Sequence, residues 1–96
     1  MAYFVMTCLD KPGALDLRLA TREPHLAWLA GVEDVRVRLA GPFLDDAGGM
    51  CGSMFILEAA DIEAVRAFSA ADPYALAGLF ERVEIRPWRR TVGIEL

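Results

Sequence analysis

One side chain in this sequence has an ordinary titration range that spans neutrality: the sole histidine, His25. An imidazole can therefore take up and return a proton near pH 7, which makes His25 the first candidate for a general acid or base. Such a base works best when a carboxylate on its other ring nitrogen fixes tautomer and orientation, and Asp72 is the candidate for that part. Arg18 and Arg22 precede the histidine on one segment, and a guanidinium is suited to hold an anionic oxygen. Ser53 and Tyr74 supply further polar groups, and backbone N–H groups near Gly49 or Ser53 are candidate donors to developing negative charge. The chemistry implied is positioned proton transfer on a small anionic molecule.

Each residue also has a purely structural reading. Asp72-Pro73 is a helix cap followed by a first-turn proline. A lone histidine beside Leu26, Trp28 and Leu29 is often a satisfied boundary residue. Arginines are usually solvated, and Tyr74, Trp28 and Trp88 usually pack. Gly48-Gly49 reads as a turn, because no phosphate-binding helix start follows it.

Composition narrows the field. The 96 residues are 55% hydrophobic and 25% charged, which suits one domain spanning residues 1–96 with its own core. A formal charge of -4 gives no electrostatic footprint for nucleic acid or an anionic membrane. The N-terminus lacks a signal-peptide pattern and no apolar run approaches the ~20 residues of a spanning helix, so a cytoplasmic protein is expected. Cys8 and Cys51 have no metal-ligand spacing, and each reads as a reduced, buried thiol. No metal or cofactor is expected.

The elements that must position these residues follow from periodicity. Residues 2–9 are apolar on both phases and end at Asp10-Lys11-Pro12-Gly13, as in a central strand. Residues 14–30 lean helical but contain Pro24. With Thr21 as cap, the proline falls in a first turn, so the reading is a loose turn at 14–20 and a helix at about 22–30, stopped by Gly31. His25 then lies near a helix start, where the peptide dipole favours the neutral ring, while an ionised Asp72 would pull the other way.

Residues 34–40 alternate as an edge strand, 41–49 form a hairpin connection, and 50–58 return as a second central strand. Asp61 caps a helix carrying Ile62, Val65 and Phe68, Asp72-Pro73 opens a short turn, and 79–88 alternate as a second edge. The resulting β-α-β-β-α-β order is the α+β, ferredoxin-like pattern with sheet order 4-1-3-2. Both helices cover one face of that sheet. The apolar second phase of the central strands needs another cover, most simply the sheet of a second copy in a homodimer. The topology also gathers Arg18, Arg22 and His25, the hairpin with Ser53, and the Asp72-Pro73-Tyr74 turn at one end of the sheet.

Five fragments in order carry a resemblance: Arg22-Glu23-Pro24-His25-Leu26, Ala40-Gly41-Pro42, Gly52-Ser53, Ala71-Asp72-Pro73-Tyr74 with Ala77-Gly78-Leu79-Phe80-Glu81, and Pro87-Trp88. Together they resemble the YciI family (YCII-related domain) across residues 2 to about 90. The resemblance implies a ferredoxin-like dimeric α/β barrel with a cleft site centred on a histidine and an aspartate. His25 matches the histidine; Asp72 is the better-matched aspartate, with Asp34 or another carboxylate as the alternative. Related enzymes eliminate chloride from chlorinated hydroquinones, and similar barrels include muconolactone isomerases. Two functions stay open at this point: a cofactor-free lyase or isomerase on a small anionic substrate, with Arg22 as clamp, and a non-catalytic metabolite-binding or accessory module.

Overall fold

The computed structural model describes residues 1–96. It runs β1 (Ala2–Asp10), α1 (Leu15–Gly31), β2 (Val35–Leu44), β3 (Met50–Ala59), α2 (Ile62–Ala71), α3 (Pro73–Leu76) and β4 (Phe80–Trp88). The strands form one antiparallel sheet in the order β2-β3-β1-β4. That is the expected ferredoxin-like order read from the other edge, with β1 and β3 central as their two-sided apolar composition requires.

Strand alternation sets the layers. Phe4, Met6 and Cys8 of β1 and Phe55, Leu57 and Ala59 of β3 point toward the helices and are buried with Val35, Val65 and Phe68. Complete burial of a side chain of this kind contributes ~1.5–3 kcal/mol, so this layer is the main stabilising element. Burial, aided by the charge of Asp72 and opposed by Arg18, pushes the Cys8 thiol up to about 12. Cys8 is therefore an inert packing thiol at neutral pH. Cys51 is only partly buried, contrary to the expectation for both cysteines.

The first helix departs from the expected split. α1 runs unbroken from Leu15 to Gly31, across both the expected loose turn and the expected helix, so Thr21 is not its cap. Pro24 lies in the helix interior, where it removes one backbone bond to the carbonyl four residues back. Ala20 and Pro24 are both exposed, so water can reach that carbonyl, and the Thr21 hydroxyl donates to the Leu17 carbonyl at 2.8 Å. Gly31 is the last helical residue and has no positive φ; the chain leaves the helix at Val32.

β2 continues through Gly41-Pro42, which the sequence assigned to the hairpin connection. Pro42 is tolerated because β2 is an edge strand with one set of backbone donors unpaired. The true turn is Asp45–Gly49. The Asp45 carboxylate accepts from the N–H groups of Ala47 and Gly49 at 3.0 and 2.9 Å, and Gly48 takes the left-handed φ of +83°. α2 is capped by Asp61, which accepts from the Ala64 N–H at 2.9 Å. No helix is long and apolar enough to cross a membrane.

Candidate active site

α1 is unusual in what it buries. Its buried residues are Arg18 and His25, while Leu15, Leu17, Leu19 and Leu26 remain substantially exposed. Seven residues apart, Arg18 and His25 lie on one helix face two turns apart, a rise of ~10.5 Å. The ring of Tyr74 occupies the space between them. It stacks on the His25 imidazole with centroids 4.0 Å apart and planes 17° apart, and the Arg18 guanidinium lies 4.7 Å from its centroid.

The histidine and aspartate meet. His25 Nδ1 lies 2.8 Å from Asp72 Oδ1, with both side chains almost wholly excluded from solvent. The same oxygen accepts the Tyr74 N–H at 2.9 Å, so Asp72 is at once the cap of α3 and the partner of the imidazole. Its other oxygen, Oδ2, is buried with no hydrogen-bond partner. With Asp72 ionised, the carboxylate on Nδ1 requires the ring proton there, which leaves the Nε2 lone pair for a ligand. Because α1 begins at Leu15, His25 is far from the helix start and the dipole argument for a neutral ring lapses.

Asp34 belongs elsewhere. It lies with Asp61 on a larger groove of about 690 Å³ between α1 and α2, whose other walls are mostly alanine, Trp28 and Phe68. That groove contains no histidine or arginine. The candidate chemistry sits in a smaller cleft of about 210 Å³, lined by Arg18, Arg22, His25, Ser53 and Tyr74 with apolar walls that include Leu26, Pro42 and Phe55. Its volume falls below the ~300–1,000 Å³ of drug-sized sites and suits one small ring.

The two arginines are not equivalent. Arg22 is exposed at the cleft. Arg18 is 3% exposed and is committed to Asp10, through Nε to Oδ2 at 2.7 Å and Nη2 to Oδ1 at 3.0 Å. Nη2 also donates to Ser53 Oγ at 2.8 Å. Burial works against the Arg18 charge, but the bond to Asp10 prevails and holds the guanidinium above its ordinary range. Burial also raises the Tyr74 phenol, against Arg18 and Arg22, so Tyr74 stays protonated at neutral pH.

The sequence pattern ends the first strand at residue 9, with Asp10 in the boundary that follows, whereas Asp10 is the last residue of β1. The available signal was its phase, which continues Phe4, Met6 and Cys8 onto the helix-facing side of β1, where a carboxylate needs a cation. The N–H groups of Gly48 and Gly49 are spent within the Asp45 turn and do not line the cleft. No three His, Cys, Asp or Glu side chains converge as a metal-ligating group.

Fold and site together define a class: a ferredoxin-like α+β domain with a buried histidine–aspartate pair beneath its first helix. The chain belongs to the YCII-related domain family, whose model matches residues 2–89. It is 37% identical over 94 residues to protein YciI of Escherichia coli O6:H1, covering 91% of this chain and 96% of that protein. It is 35% identical over 95 residues to an uncharacterised protein of Haemophilus influenzae, covering 92% and 97%. Among solved structures, it is similar to 5-chloro-2-hydroxyhydroquinone dehydrochlorinase (TftG) from Burkholderia phenoliruptrix in complex with 2,5-dihydroxybenzoquinone. That match has a TM-score of 0.83 and 31% identity, over 93% of this chain and 95% of that one. An antibiotic biosynthesis monooxygenase shares the fold, with a TM-score of 0.60 at 14% identity over 96% of this chain and all of that one.

Proposed function

We propose that this protein is a small cofactor-free enzyme of lyase or isomerase type, acting on a small anionic ring compound bound in the 210 Å³ cleft. The observation that carries the reading is the 2.8 Å His25–Asp72 contact at the cleft wall, which leaves Nε2 as the proton-accepting atom. In this reading Nε2 takes a proton from the substrate, and the electron pair released either expels a leaving group or is reprotonated at another carbon. Asp72 holds the ring, Arg22 faces the anionic oxygen, and the Tyr74 hydroxyl and Ser53 line the bound molecule. The likeness to the dehydrochlorinase supports an oxygenated six-membered ring as the substrate class.

Hydroxylated benzoquinones provide the test, because their ring C–H protons exchange with solvent through enol chemistry that an imidazole can catalyse. The protein should accelerate deuterium uptake by 2-hydroxy-1,4-benzoquinone in proton NMR. His25→Gln should cut that acceleration by ~10²–10⁴, the usual share of a positioned proton carrier. A bound quinone whose exchange is not accelerated would instead support the non-catalytic metabolite-binding or accessory role. That second reading has its own observation: Asp72 already has a structural duty as the cap of α3.

The reading includes a homodimer and a cytoplasmic setting. Val5, Leu9, Leu39, Met54 and Ile56 form an apolar outer sheet face that neither helix layer covers, and a second copy suits it. Sedimentation equilibrium should give twice the 10.6 kDa chain mass; a concentration-independent monomer would exclude this arrangement. Two unpaired cysteines suit a reducing compartment.

A further inference from the structure

The cleft carries two guanidinium groups, yet Asp10 neutralises one of them from behind. Asp10 does not line the cleft; its carboxylate reaches Arg18 from the end of β1 with two hydrogen bonds, and its side chain is 4% exposed. Arg18 Nη1 makes no hydrogen bond within the protein, so the guanidinium keeps donors for a ligand while its charge is matched. Arg22 has no ion-pair partner. Asp72 sits behind His25 as the second carboxylate. Two cations are thus matched by two buried anions when the imidazole is neutral, and one positive charge is in excess once His25 has accepted a proton.

We infer that Asp10 is a specificity-determining residue that limits the cleft to ligands carrying one negative charge. The inference rests on the proposed ring-binding role of the cleft and adds the charge that the ring carries. A monoanion opposite a protonated His25, the proton taken from the ligand or from solvent, leaves no charge uncompensated. A dianion places its second charge against Arg18, whose field Asp10 has already cancelled. In a cleft this small, with half of its lining residues apolar, an unmatched charge weakens binding considerably.

The experiment compares two ligands of nearly the same shape, 2-hydroxy-1,4-benzoquinone and 2,5-dihydroxy-1,4-benzoquinone, which ionise at neutral pH to a monoanion and a dianion. Wild type should bind the monoanion about tenfold more tightly by calorimetry. Asp10→Asn keeps an acceptor for Arg18 but removes the charge, and should abolish or reverse that preference. Arg18→Gln leaves Asp10 unmatched and should widen it, so the two variants move the ratio in opposite directions. If one variant fails to fold, the other still decides the question. Binding of neither quinone by wild type would sink the ring-binding role itself. Binding of both with a ratio that neither variant alters would overturn the assignment to Asp10 alone.

Discussion

Gly52→Ala is expected to destabilise the protein by about 3 kcal/mol, a fall in melting temperature of roughly 12–24 °C for a domain of this size. A Cβ at position 52 would stand 2.4 Å from the Cys8 carbonyl oxygen and 3.0 Å from Phe43 Cδ2. The closer neighbour is backbone in the central strand, and it cannot withdraw. β1 pairs with β3 on one side and β4 on the other, with Cys8 opposite both Ser53 and Val83. Relief therefore requires moving the ladder that holds Ser53 and Asp10 under α1. Gly41→Ala is the control, since nothing lies within 4 Å of its added carbon, and it should change stability by no more than ~0.5 kcal/mol. Equal melting shifts for the two variants would show that the close approach at Gly52 is not what constrains the sheet.

The second large effect is expected at Asp72, and two substitutions separate its duties. Asp72→Ala removes the cap of α3 and the partner of His25 Nδ1 together, at about 3 kcal/mol. Asp72→Ser retains a short oxygen acceptor suited to the cap but cannot span the distance to the imidazole, and should lose only about 2 kcal/mol. Part of each loss is offset, because both changes remove the unpartnered Oδ2 from the interior. Urea melts of the three proteins test the ordering. If serine recovers full wild-type stability, the contact to His25 contributes nothing to folding.

The layered architecture is legible in the sequence for a clear reason. β1 and β3 are apolar on both phases, β2 and β4 largely on one, and only a sheet with β1 and β3 at its centre satisfies all four. The His25–Asp72 pairing is legible less directly, through the topology that gathers three distant segments at one end of the sheet. Pro24 misled because a proline penalises a helix locally, whereas α1 is held by contacts farther away, through Arg18, His25 and Tyr74. The same contacts hide the helix from an amphipathicity argument, since its buried face is polar and its leucines are largely outside. Asp10 was missed because its neighbours Lys11-Pro12-Gly13 read as a turn. Its role depends on a partner eight positions away that folds back over it.

These features also explain why so small a domain keeps several polar groups inside. Arg18 is satisfied by Asp10 and Ser53, and His25 by Asp72. Tyr74 is held by stacking and by burial against both. A network of this kind is stable only when nearly every member is partnered, and the exception, Asp72 Oδ2, belongs to the carboxylate that holds the imidazole. Preorganisation of the imidazole by a buried carboxylate is the physical basis of the proposed activity.

The most direct test uses the fact that the chain has one histidine, which gives an unambiguous set of imidazole nitrogen resonances. A long-range ¹⁵N–¹H correlation spectrum of uniformly labelled protein at neutral pH reports which ring nitrogen carries the proton. The Asp72 contact predicts that the neutral imidazole carries its proton on Nδ1, leaving Nε2 as the unprotonated nitrogen, whose resonance is displaced when a hydroxybenzoquinone is added. A ring protonated on Nε2 whose resonances ignore the added quinone would contradict the assignment of His25 as the proton-transferring group.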